Sequence, residues 1–215
     1  ECAFYPARDY NFNNILASHE FEHERLAVLY RMMKNDSFTV VSTPAAAFQL
    51  TMPPEKLAVR TIRLDRNSPI DTDELAIRLN GAGYRRCDMV ESCGQFALRG
   101  GIVDIYAPSL PPVRIELFGD EVDRMGYFSL ESQRFTGEET DSIEIPPTLE
   151  VILGDEERRI LRESVTRQIS RVKGSAAEQT LRAELDALEN SQDVNFADKY
   201  LPLIFSEGCC LTDYA

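Results

Sequence analysis

Between Tyr84 and Leu130 the chain breaks into short apolar-rich runs, and glycine and proline turns separate most of them. The runs at 84–90, 95–99, 102–106, 113–118 and 121–130 are strand-length, with turn signals at Gly100-Gly101, Pro108 to Pro112 and Gly119-Asp120. Strands this closely spaced predict a compact antiparallel sheet. Upstream, 59–64 reads as a strand. Asp71-Thr72-Asp73-Glu74 then caps a helix whose stripe includes Leu75 and Leu79 and which ends at Gly81-Ala82-Gly83. Residues 58–150, closing near Pro146-Pro147, are expected to form one α+β domain.

The flanks have a different texture. Glu1 to Asn14 is aromatic and irregular. Ser18-His19-Glu20-Phe21 reads as a helix start, and Leu26, Leu29, Tyr30 and Met33 follow at helical spacing, which predicts a helix over 19–34. Phe38 to Val41 is a short strand of the kind buried in a parallel sheet. Thr43-Pro44 starts a helix that runs until Pro53-Pro54. Residues 1–57 are therefore expected to be a partial α/β domain. Residues 151–215 read as a helical return segment, with helices at 155–172 and 176–188 joined at Gly174-Ser175 and a short strand at Leu203-Ile204-Phe205. A first residue Glu and a last residue Ala215 without a terminal cap give the expectation of an excised piece.

Composition removes several function classes. The 215 residues carry a formal net charge of -13, which repels phosphate backbones at long range and argues against a free-standing nucleic-acid binder. No run approaches the roughly 20 apolar residues that cross a bilayer. The five cysteines show no disulfide or zinc spacing and read as cytosolic thiols. His19 and His23 lack a third ligand and read as a solvated helix face. There is no GxxxxGK[ST] phosphate loop, no GxSxG elbow and no clustered His/Asp/Ser set, so no catalytic apparatus, cofactor site or metal site is expected. Of 23 basic residues only Lys34, Lys56, Lys173 and Lys199 are lysine. Between Lys56 and Lys173 every fixed cation is arginine, the side chain suited to planar recognition of carboxylates.

Strand parity marks one face. In 113–118, Val113, Ile115 and Leu117 point one way and form the core side, so Arg114, Glu116 and Phe118 point the other way. A two-residue turn at Gly100-Gly101 pairs Arg99 with Ile102, Leu98 with Val103 and Phe96 with Ile105. Arg99, Ile102 and Asp104 then share the face opposite the core, alongside Arg114 and Phe118. Two arginines and an aromatic ring are the residue types of interface hot spots. The blander reading has the arginines solvated or paired with neighbouring acids, and Phe118 covered by the helix at 71–81 or by the C-terminal helices.

Three runs carry a family resemblance. They are Gly83-Tyr84-Arg85-Arg86-Cys87-Asp88-Met89-Val90, then Gly94-Gln95-Phe96-Ala97-Leu98-Arg99-Gly100-Gly101-Ile102-Val103-Asp104-Ile105-Tyr106, and Val113-Arg114-Ile115-Glu116-Leu117-Phe118-Gly119-Asp120-Glu121-Val122. Together they resemble the second domain of bacterial UvrB. They more closely resemble the UvrB-like N-terminal module of the transcription-repair coupling factors (Mfd). Glu24-Arg25-Leu26 and Thr39-Val40-Val41-Ser42 are similar to that family's first domain. The resemblance implies a partial, degenerate RecA-like motor lobe with an inserted small antiparallel-sheet domain. It further implies a non-catalytic module that docks the UvrA damage-recognition protein through Arg99, Arg114 and Phe118, with Arg85, Arg86 and Glu116 as rim positions. It implies a cytoplasmic parent protein, an ATP-driven DNA translocase that acts on stalled RNA polymerase, with no membrane partner. The alternative is a UvrB-type NTPase or DNA-binding fragment, against which the missing phosphate loop argues.

Overall fold

The computed structural model describes residues 1–8, 20–172, 174, 176–190, 194, 196–205 and 208–215. In chain order its elements are β1 (Cys2–Tyr5), α1 (Glu20–Met33), β2 (Thr39–Ser42), α2 (Pro44–Ala47), α3 (Pro54–Arg60), β3 (Ile62–Asp65) and α4 (Thr72–Gly81). These lead into β4 (Arg85–Arg86), β5 (Gln95–Arg99), β6 (Ile102–Tyr106), β7 (Val113–Phe118), β8 (Glu121–Phe128), β9 (Phe135–Glu139) and β10 (Ser142–Ile145). Helices α5 (Asp155–Arg171), α6 (Ala176–Asn190) and α7 (Leu201–Ile204) complete the chain. The class is mixed α and β. Strands β4 to β9 form one six-stranded sheet in sequence order, antiparallel throughout except for the short β4–β5 pair. β1 pairs with β2 in parallel, and β10 pairs with β3 antiparallel.

The hairpin register follows from its turn. Gly100 sits at φ +60, and a Cβ on Gly101 would lie 2.6 Å from the Leu117 carbonyl oxygen, so the two glycines let the turn close against β7. Arg99 then pairs with Ile102, Leu98 with Val103 and Phe96 with Ile105, as the spacing predicts. Alternation places Phe96, Val103, Ile105, Val113, Ile115 and Met125 on one face. They pack with Leu75 and Leu79 of α4 and with Ile143 and Ile145 of β10. The Asp71 carboxylate accepts from the backbone N–H groups of Asp73 and Glu74 and fixes the start of α4.

A second core joins the two ends of the chain. Tyr5, Leu26, Leu29, Met52 and Leu57 pack with Val151, Leu201, Phe205 and Leu211. A third lies between α5 and α6 around Leu161, Val165, Leu181 and Leu188. Helix α1 ties the first two cores together. Arg25 Nε donates to the sealed Glu150 carboxylate at 2.5 Å, and Tyr30 and Lys34 both bond Glu144 of β10. Burial alone would raise the Glu150 pKa, but the charges of Arg8 and Arg25 and bonds from Arg25 and Thr51 hold it below the usual carboxylate range.

Several expected elements differ. Val59 lies in helix α3, not in a strand, because Pro54 occupies the first helical turn where its missing N–H costs nothing. Leu203 and Ile204 are helical in α7, not the expected short strand; Pro202 again sits in the first turn. The strand expected over 84–90 shrinks to Arg85–Arg86. β1, β9 and β10 go unread in the sequence. His23 is half-buried, with its ring so close to Gly94 that a Cβ there would lie 2.9 Å from Cε1, so the solvated-face reading does not hold for it. Ser18, His19 and Ser175 lie outside the described residues.

Candidate functional site

The face of the six-stranded sheet turned away from α4 divides into a covered half and an open half. At the covered end, Ala97, Tyr106 and Phe128 meet Val90, Cys87 and Leu130 from two loops that fold over the sheet. Gln95 Oε1 accepts from the backbone N–H of Glu91 and of Ser92, which pins the first loop. Gln133, at φ 56, donates through Nε2 to the Leu130 carbonyl and pins the second. At the open end, one cross-strand row runs Arg99, Ile102, Glu116, Arg124. Phe118 ends β7 next to the turn and is 84% exposed.

Between the halves lies a shared ion pair. Asp104 is opposite Arg114 across the β6–β7 ladder and is 0% exposed. Arg114 Nε and Nη2 donate to its two carboxylate oxygens at 2.6 and 2.8 Å. Arg114 Nη1 donates to the Gln133 carbonyl at 2.7 Å, and the guanidinium carbon stands 4.5 Å from the centre of the Phe128 ring. Hydrogen bonding to Asp104 outweighs the burial of Arg114 and holds it more firmly protonated than a free arginine. Arg99 reaches the same carboxylate by Nη2 alone, at 2.5 Å, with 41% of its side chain exposed.

The structure therefore brings Arg99, Arg114 and Phe118 onto one face, as parity predicts, but gives them unequal access. Phe118 is open, Arg99 is half-open, and Arg114 is 7% exposed with three donor bonds inside the protein. Glu116 takes its place in the open row. Arg85 and Arg86 do not join the group. They lie on edge strand β4 beside Gln95 and Phe96, about 13 Å and about 10 Å respectively along β5 from Arg99 at ~3.3 Å per residue. Asp104 was legible as a neighbour of Arg99, but its burial under both guanidiniums was not, because the covering loops have no strand parity to read. Among the described residues no group of His, Cys, Asp and Glu is arranged to hold a metal ion, and no helix is long and apolar enough to cross a membrane.

The sheet thus has one helix-packed face and one half-open face that carries an exposed ring. Residues 62–150 match the UvrB interaction domain family. The chain as a whole is related to the transcription-repair-coupling factors. It is 33% identical over 220 residues to that of Bacillus subtilis, covering 98% of this chain and 19% of the relative. It is 29% identical over 187 residues to that of Myxococcus xanthus, covering 86% and 15% respectively. It is 32% identical over 180 residues to that of Mycobacterium tuberculosis, covering 81% and 14%. The chain thus spans less than a fifth of the length of these relatives.

Proposed function

We propose that this chain is a non-catalytic docking module that recruits UvrA to a transcription-repair coupling factor in nucleotide excision repair. The observation that carries the reading is the ring of Phe118, left 84% exposed at the open end of the sheet whose same face carries a half-exposed arginine. A phenyl ring in water is an unused contact worth about 1.5–3 kcal/mol when covered. Charge-paired arginine and a buried aromatic are the residue types that dominate binding energy at interfaces. Arg99 and Phe118 form the contact surface, Glu116 lies at its rim, and Arg114 supports it from beneath. Arg85 and Arg86, farther along the sheet on β4, are outer rim positions.

On this reading, residues 58–150 are the docking domain, residues 1–57 are part of a degenerate RecA-like lobe without nucleotide chemistry, and residues 151–215 return to complete it. The parallel β1–β2 pair and the shared core between the two ends support that division. The intact parent is a cytoplasmic ATP-dependent DNA translocase that engages RNA polymerase, with its motor outside this chain. The test is a titration of the 215-residue chain with purified UvrA. Phe118→Ala, at a ring that is 84% exposed, should weaken binding at least about tenfold, the low end for uncovering a buried ring, with an unchanged thermal melt. Wild-type affinity in Phe118→Ala refutes the reading.

A further inference from the structure

Arg99 and Arg114 share one carboxylate, and the sharing is unequal. Arg114 has two bonds to Asp104, one to the Gln133 carbonyl and a ring beneath its plane. Arg99 has a single bond to the same Asp104 oxygen that Arg114 Nη2 uses, Oδ2. An arginine fork carries five N–H donors, so Arg99 keeps most of its donors for a second acceptor. A long side chain on an outer strand face samples many rotamers, and ordering it at an interface costs conformational entropy. A sealed carboxylate that grips one nitrogen removes part of that cost before any partner arrives.

We infer that Asp104 is the positioning residue of the docking face: it orients the Arg99 guanidinium toward solvent with its free edge ready for one carboxylate of the partner. The inference rests on the docking reading and refines it. The partner presents a carboxylate to Arg99 beside an apolar pocket for Phe118, and Arg114 acts through Asp104 by holding that carboxylate still. Asp104 touches no partner atom. Its neighbours across the sheet are Ala97 and Arg114, and it is fully enclosed.

Two readouts on the 215-residue chain test this. The first uses no partner. In nitrogen-15 spectra of the arginine side chains, rotation of the Arg99 guanidinium should be slowed in wild type and free in Asp104→Asn. Equal rotation in the two overturns the inference. If Asp104→Asn does not fold, Asp104→Leu combined with Arg114→Leu removes the buried pair as a unit and gives the same comparison. The second readout is a double-mutant cycle against UvrA. Asp104→Asn should weaken binding about tenfold, the scale of one charge-assisted hydrogen bond, in the wild-type background. It should have no further effect once Arg99→Ala is present, because its action passes through Arg99. Equal, additive losses in both backgrounds show that Asp104 acts otherwise and overturn the inference. A wild-type chain that does not bind UvrA refutes the docking reading, and the Arg99 spectrum then decides the positioning alone.

Discussion

Replacing Arg114 by leucine measures what the inner ion pair contributes to the sheet. The substitution removes both donors that Arg114 gives to Asp104, the donor on the Gln133 carbonyl and the cation over Phe128. It leaves Asp104 sealed with one remaining bond, from Arg99. Breaking a buried pair from one side costs about 3–5 kcal/mol because the abandoned charge stays out of water. The residual Arg99 bond places this case near the low end, about 3 kcal/mol, a large part of the ~5–15 kcal/mol that holds a typical protein folded. The double replacement Asp104→Leu with Arg114→Leu removes both charges and should fall within about 1 kcal/mol of wild type. Urea unfolding at pH 7 followed by far-ultraviolet circular dichroism reads both, since the chain has no tryptophan to report by fluorescence. A single variant within 1 kcal/mol of wild type by that ~1 kcal/mol margin, or a double variant as unstable as the single, refutes the claim that this pair braces the face.

Three further outcomes follow from other parts of the molecule. A Cβ on Gly126 would lie 2.2 Å from the Glu138 carbonyl oxygen, a backbone obstacle; Gly126→Ala should cost about 1–3 kcal/mol and speed amide exchange in β9. Asp198 has its pKa raised to about 6, chiefly by burial, so the folded state holds its proton more tightly than the unfolded chain does. That contribution to stability is present below the ordinary carboxylate pKa and is lost as pH rises through about 6. With 35% of the side chain exposed, solvent screening reduces the effect, and Asp198→Asn should stabilise the chain by about 1 kcal/mol at pH 7.5 and by nothing at pH 4 in paired urea titrations. Burial pushes the thiols of Cys93 and Cys209 up to about 12 and 11, whereas Cys2 is exposed. Iodoacetamide at pH 8 should therefore label Cys2 first in mass spectra, and early labelling of Cys93 contradicts its placement.

What could be read from the sequence is what local rules determine. Gly100-Gly101 fixes a two-residue turn, and the turn fixes every pair of the β5–β6 hairpin, so the shared face of Arg99 and Asp104 was legible. Period-two alternation likewise set Phe118 opposite Ile115 and Leu117. The elements that escaped depend on partners distant in the chain. β9 is Phe-Thr-Gly-Glu-Glu, polar enough to read as loop, and is a strand because β8 offers it an edge. β1 pairs with β2 across more than thirty residues of intervening chain, as its register Cys2 to Thr39 shows. Val59 and Leu203 have strand-like side chains but follow prolines that start helices. Arg114 shows the limit of parity most clearly: alternation gives its side of the sheet, but the loops around Val90 and Leu130 decide that this side is covered there.

The most direct test of the central claim is an amide-exchange footprint of the 215-residue chain with and without UvrA. Protection should gather at the open end of the sheet, across the Arg99–Ile102 turn and the Phe118–Glu121 turn, and should leave α5 and α6 unchanged. Protection confined to α5 and α6, or none at the two turns when binding is saturated, contradicts it.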